Sequence, residues 1–204
     1  MSLSPPACRV SVLEADSLPE QAWKNGGGAT RELLCHPPCA GFEDFDWRIS
    51  IARVAQPGDF SRFPGVDRHI MLIEGASMPL TDKERGSTHV LRPFEPHAFA
   101  GEAAVASALP HGPTRDFNLM LRRGRAQGGL QAWRGLAAPA ALNAGFHLLY
   151  VAQGAYHASL GGQAWPLAAG QALAMACPQG ASLQWRAVGQ QGVLVHAFIA
   201  SSKD

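Results

Sequence analysis

The sequence predicts an all-β protein made of two barrel-like halves with few short helices, and three observations carry that prediction. Gly 22 and Pro 15 in a chain of 204 residues cut it into short runs with few uninterrupted helical periods. Several of the runs between them alternate polar and apolar residues with period two, as a half-buried strand does. The two halves also echo each other. His69 to Met78 and His147 to His157 each read as an apolar strand, a tight turn closed by Gly75 or Gly154, and a return strand.

In chain order, Ser17 opens a short helical turn with Glu20 completing a capping box, and the turn ends before Asn25, where Gly26, Gly27 and Gly28 favour an open loop. Strands are expected at Thr30–Leu34, Asp46–Val54, His69–Glu74, His89–Phe94 and Phe117–Arg122 in the first half. The second half supplies Leu130–Trp133, Phe146–Ala152, Ala155–Leu160, Ala172–Ala176 and Gly192–Ile199, with a hairpin at Gly161 and Gly162. The Gly- and Ala-rich stretch Gly124 to Asn143 holds the boundary, giving domains 1–124 and 125–204. The last strand is expected to cross back and complete the first barrel.

Composition narrows the function classes. Apolar residues make up 47% and charged residues 16% of the chain, a globular balance with less charge than the usual ~25%. A formal charge of +1 leaves no electrostatic footprint for nucleic acid or a membrane surface. The first ten residues lack a basic leader and an apolar signal core, and no apolar run approaches the ~18 residues of a spanning helix, so a cytoplasmic protein is expected. In that compartment Cys8, Cys35, Cys39 and Cys177 stay reduced. Cys35, His36 and Cys39 lack a second ligand pair, and Pro37 and Pro38 fit a turn better than a zinc site.

Alternation sorts Asp46–Val54 into one face with Trp47, Ile49 and Ile51 and another with Arg48, Ser50 and Ala52. Phe117, Leu119 and Leu121 likewise oppose Asp116, Asn118, Met120 and Arg122. Such faces often meet solvent. Arg, Ser, Asp and Asn, however, are more directional than the Lys, Glu and Thr of solvated faces, and they suit a polar cavity. Thr30 and Glu32 share a strand face and are expected to line the same cavity. Asn25 to Gly28 reads either as a backbone cradle for an anion or as a crossing loop. Arg68 reads either as a structural partner of Asp46, Asp67 or Asp116, or as a buried cation that needs an anion. His69 and His97 are the best acid/base candidates by position, while His147 and His157 read as structural. Trp47, Phe63, Trp133, Trp165 and Trp185 read as core or pocket walls.

The stretch from Asp46 to Gly75 resembles the first motif of a cupin barrel whose metal ligands have been replaced. Counting back from Gly75 puts Arg68 at the metal-binding Glu, and Ser61 and Phe63, or Arg62 and Pro64, at the two His positions. In the second half His147 takes the Glu position, Leu183 the final His, and apolar or small residues around Ala140 to Asn143 replace the His pair. A guanidinium donates hydrogen bonds and has no lone pair for a cation, so neither half is expected to hold a metal.

Trp23 to Glu32, Trp47 to Ser50, Phe60 to Arg68, Phe99 to Glu102 and Asp116 to Gly124, in that order, together resemble the HutD/Ves family over about residues 9 to 200. The resemblance implies a metal-free bicupin without cofactor. It also implies a cytoplasmic protein that binds a small anionic metabolite of histidine breakdown, such as urocanate or N-formylglutamate, and so limits histidine utilisation; Ves members are linked to stress responses. The expected ligand-binding set is Thr30, Glu32, Trp47, Arg48, Ser50, Ser61, Phe63, Arg68, Asp116 and Asn118, with no catalytic residue assigned and a homodimer left open. Asp59 departs from the family pattern by placing a carboxylate just before Phe60. Two other classes stay in view. One is a metal-independent isomerase or hydrolase acting on a small carboxylate through His69, His97 or Glu32, and the other is a protein-interaction regulator of the Ves type whose cavity is incidental.

Overall fold

Alternating sequence becomes antiparallel pairing along the whole chain in the computed structural model, which describes residues 8–135, 137–189 and 192–201. After β1 (Arg9–Glu14) and one 3-10 turn at Ala15–Ser17, residues 18–130 form one unit. Residues 131–201 form the other, together with β1 and that turn.

The N-terminal unit stacks two sheets. The larger runs in the order β2 (Glu20–Ala22), β3 (Gly28–His36), β4 (Trp47–Val54), β11 (Thr114–Arg122), β6 (Val66–Glu74), β9 (Pro96–Ala100). The smaller runs β5 (Gly58–Asp59), β10 (Val105–Ser107), β7 (Met78–Asp82), β8 (Ser87–Leu91). Val54, Ile70 and Leu72 from the first sheet meet Met78, Leu80, Leu91 and Val105 from the second. Each such side chain contributes about 1.5–3 kcal/mol on burial, which holds the sheets together along the same strand face that carries Ser50 and Arg68.

The C-terminal unit repeats the plan. Its five-stranded sheet has the order β1, β17 (Gln171–Cys177), β14 (Gly145–Gln153), β19 (Val193–Ser201), β12 (Ala126–Arg134). Its four-stranded sheet has the order β13 (Ala137–Leu142), β18 (Ala181–Ala187), β15 (Ala155–Leu160), β16 (Gln163–Ala168). Leu149, Val151, Leu173 and Leu194 pack against Tyr156, Leu167, Leu183 and Trp185. No helix among the described residues is long and apolar enough to cross a membrane.

Three expectations are corrected. The helical turn from Ser17 gives way to a hairpin, because Glu20–Ala22 pairs with Ala29–Arg31 and the Trp23 N–H donates to the Gly28 carbonyl at 2.9 Å. Sheet pairing outweighs the local cap. The strand that crosses between halves is β1, paired with β17 from Arg9↔Ala176 to Glu14↔Gln171, whereas β19 sits between β14 and β12. That crossing brings Cys8 and Cys177 into a disulfide with Cα atoms 4.3 Å apart, so two of the four cysteines are not free thiols.

Candidate functional site

A cavity of about 500 Å3 opens in the N-terminal unit. Antiparallel register explains its floor. Ser50 lies opposite Asn118, Arg48 opposite Met120, and Met120 in turn opposite Arg68, so β4, β11 and β6 present these side chains on one face. Asp116 joins them where the β11–β6 register shifts between Arg115 and Asp116. The walls come from two loops. Gly28 leaves no room for a Cβ, which would meet the Arg53 carbonyl at 2.3 Å and the Trp23 ring at 2.9 Å; this close approach seats Trp23 at the cavity, with its Nε1–H donating to Thr30 Oγ1 at 2.7 Å. Gly101 similarly lets the Phe60–Gly65 loop close in, the Phe63 N–H donating to the Gly101 carbonyl and the Gly101 N–H to the Val66 carbonyl, both at 2.7 Å.

Arg68 dominates the electrostatics. It is 6% exposed, and its guanidinium carbon lies 5.2, 5.5 and 4.9 Å from the ring centres of Phe60, Phe63 and Phe99. One terminal nitrogen donates to the Ser61 carbonyl at 3.2 Å, while the buried Nε–H has no partner. Desolvation lowers its pKa to about 10, with Asp116 opposing and Arg48 adding to the shift. The structural-partner reading loses two of its carboxylates, since Asp67 pairs with Arg123 at 2.7 Å and Asp46 with Arg125 at 3.0 Å. The third, Asp116, is 1% exposed; its Oδ1 accepts from Asn118 Nδ2 and its buried Oδ2 has no partner. Burial pushes its pKa up to about 7 against the lowering influence of Asn118 and Arg68.

The other predicted site residues sort cleanly. Arg48, Ser50, Ser61, Phe63, Arg68, Asp116, Asn118 and Thr30 all line the cavity. Glu32 does not: it pairs opposite Ser50, and its carboxylate accepts from Arg48 Nε at 2.6 Å and neutralises that cation. Trp47 does not either, because alternation points it away from Arg48 and it stacks on His36 with ring centres 5.8 Å apart. Trp23, Phe42, Phe60 and Met120 line the cavity without having been assigned to it. For Trp23 a signal was present, an aromatic residue at the foot of a glycine run.

The glycine loop consumes its own amides, Gly26 N–H on the Trp23 carbonyl at 3.0 Å and Gly27 N–H on Asn25 Oδ1 at 3.0 Å, so the anion-cradle reading fails there. Asp59 is held by Lys83 at 2.6 Å, which offsets its charge at the cavity mouth. Neither candidate acid/base histidine reaches the cavity. His69 lies on the strand face opposite Arg68, and His97 stacks on His89 with ring centres 3.8 Å apart in a separate hollow beside β8 and β9.

In the C-terminal unit His147 and His196 are buried together, Nδ1 of the first 3.0 Å from Nε2 of the second. His147 Nε2–H donates to the Asn143 carbonyl at 3.0 Å, so His147 Nδ1 must accept from His196 Nε2–H. Desolvation and the neighbouring His147 lower the His196 pKa to about 3, which keeps the pair neutral. Among the described residues no group of three or more His, Cys, Asp or Glu side chains could hold a metal ion.

The chain as a whole is similar to known proteins. The chain is 44% identical over 109 residues to Protein Ves of Citrobacter koseri, covering 53% of this chain and 56% of that protein, and 43% identical over 106 residues to Protein Ves of Escherichia fergusonii. The match thus spans about half the length of these curated relatives. Among solved structures, a conserved protein of unknown function from Pseudomonas aeruginosa PAO1 superposes with a TM-score of 0.86 at 32% identity, covering 95% of this chain and all of that one. HutD from Pseudomonas fluorescens SBW25, solved in a formate condition, gives a TM-score of 0.79 at 31% identity over 95% of this chain and 99% of that one. A cupin barrel protein from Leptotrichia buccalis, at 8% identity and a TM-score of 0.58, shares the fold alone. Together with these likenesses, the HutD family model matches residues 15–195, and the chain belongs to the HutD family.

Proposed function

We propose that the N-terminal cavity binds a small carboxylate metabolite without turning it over, and that this binding serves to limit histidine utilisation. One observation carries the reading: Arg68 is buried among three aromatic rings with its Nε–H unsatisfied, facing a cavity whose second arginine is already neutralised by Glu32. A buried donor left unmade costs about 1–3 kcal/mol, and a ligand carboxylate removes that cost through a charge-assisted hydrogen bond of about 1.5–3 kcal/mol. Urocanate and N-formylglutamate both present a carboxylate on a small frame that an aromatic-walled space of about 500 Å3 accommodates.

The test is thermal unfolding with each compound and with its uncharged amide. A carboxylate at a hundred times its dissociation constant stabilises by about 2.7 kcal/mol, and the amide stabilises much less. Equal shifts from acid and amide, or none from either, would refute the proposal. A second reading, a metal-independent enzyme acting on the same carboxylate, draws on Asp116, whose pKa of about 7 suits proton transfer. Overnight incubation with the tightest compound and product analysis separates the two.

A further inference from the structure

Two residues that line the cavity from neighbouring strands carry orphaned buried atoms of opposite character. On β6 the Nε–H of Arg68 lacks an acceptor, and on β11 the Oδ2 of Asp116 lacks any partner. Both are buried, and both belong to residues that line the same space. With Asp116 ionised, its charge cancels that of Arg68, and an incoming carboxylate meets another carboxylate in the cavity wall. With Asp116 neutral, the charge of Arg68 is uncompensated and the site gains an O–H donor.

Resting on the reading of this cavity as a carboxylate site, we propose that the ligand enters together with one proton, carried by Asp116 as the neutral acid. Asn118 fixes where that proton sits. Its Nδ2–H donates to Oδ1, so Oδ1 acts as the carbonyl oxygen and the hydrogen belongs on Oδ2, the oxygen without a partner. A ligand carboxylate bound at Arg68 then shares the cavity with a neutral acid instead of a second anion. No bond other than O–H is made or broken: the proton comes from solvent and returns to it when the ligand leaves.

The surrounding charges agree with this assignment. From β4, Arg48 is bound to Glu32; from β6, Arg68 faces the site; Lys24 lines the wall from the loop after β2; and Asp59, at the end of β5, is bound to Lys83. On β11 itself the neighbour is the amide of Asn118, while Arg115 pairs with Glu74. No other carboxylate lining the cavity is left to compete for the proton. Desolvation, which already holds the Asp116 carboxyl near neutrality, supports the same picture.

The sign follows from linkage. The ligand is an anion throughout, so binding draws no proton below the Asp116 midpoint and one proton above it, and affinity falls about tenfold per pH unit on the alkaline side.

The experiment uses formate as probe and the full chain, following the side-chain carboxyl carbon of Asp116 and the Nε of Arg68 by NMR, with and without saturating sodium formate against sodium chloride at equal ionic strength. The expected result is an Asp116 midpoint that rises by more than two units in saturating formate, while formate affinity two units above the free midpoint drops about a hundredfold relative to the plateau below it. Asp116→Asn, which mimics the neutral acid, should bind formate with no pH dependence over the same range; the wild-type midpoint shift decides the matter if that variant does not fold. An Asp116 midpoint that stays put or falls, while Arg68 Nε responds to formate, overturns the proton-linked proposal and leaves the carboxylate site standing. An Arg68 Nε that is silent to formate at every pH overturns both.

Discussion

Replacing Arg68 with Lys isolates the guanidinium from its charge. In the wild type the planar group is held among the rings of Phe60, Phe63 and Phe99 and braced by the Ser61 carbonyl at the cavity wall, with its Nε–H unpaired. A lysine ammonium keeps one positive charge but loses both the fork and the flat stacking, and it is harder to desolvate. One charge-assisted hydrogen bond is lost or badly aimed, so binding of urocanate or N-formylglutamate should weaken by ~1–3 kcal/mol, roughly five- to a hundredfold. Calorimetric titration of both proteins measures this directly, with Arg125→Lys as the control because Arg125 pairs with Asp46 outside the cavity. Equal affinities for wild type and Arg68→Lys would remove Arg68 from the site and refute the reasoning.

Two further predictions follow from the same structure. With Ser61, Phe63 and Arg68 at the ligand positions of the first half and Leu183 in the second, purified protein should carry no stoichiometric zinc, iron, manganese or nickel by elemental analysis; one ion per chain, surviving gel filtration and lost in His147→Ala, would contradict this. The His196 pKa, lowered by burial to about 3, gives a definite acid dependence. The native pair stays neutral while the unfolded chain takes up a proton below about 6.5, so this contribution is fully present above that pH and is lost by about 1.4 kcal/mol per unit as pH falls toward 3. His196→Gln keeps a donor for His147 and does not titrate, so urea unfolding at successive acid pH values should give a shallower slope than wild type by about that amount. Parallel slopes would mean that the buried pair is already charged.

Much of the cavity face was legible because period two is a local property. Arg48, Ser50, Asp116 and Asn118 follow from alternation along two strands, and the antiparallel register of β4 and β11 then brings them together. The same rule sets Trp47, expected as a core or pocket wall and in the ligand-binding set, on the face opposite Arg48, and the structure stacks it on His36. Glu32 keeps the alternation of Thr30, and what takes it out of the lining is its ion pair with Arg48, a partner on β4 that no local pattern names. The very short strands β5 and β10 hold too few residues to show a period. The capping signal of Ser17 and Glu20 was real but local, and pairing of β2 with β3 displaced it. The link between Cys8 and Cys177, 169 residues apart, depends on β1 joining β17, a long-range choice that no local pattern encodes.

The most direct test of the central claim is a crystal structure grown with N-formylglutamate at saturating concentration. The account predicts density for the compound in the N-terminal cavity, with one carboxylate oxygen within about 3 Å of Arg68 Nε. An empty cavity at saturation, or a ligand bound with its carboxylate turned away from Arg68, would contradict it.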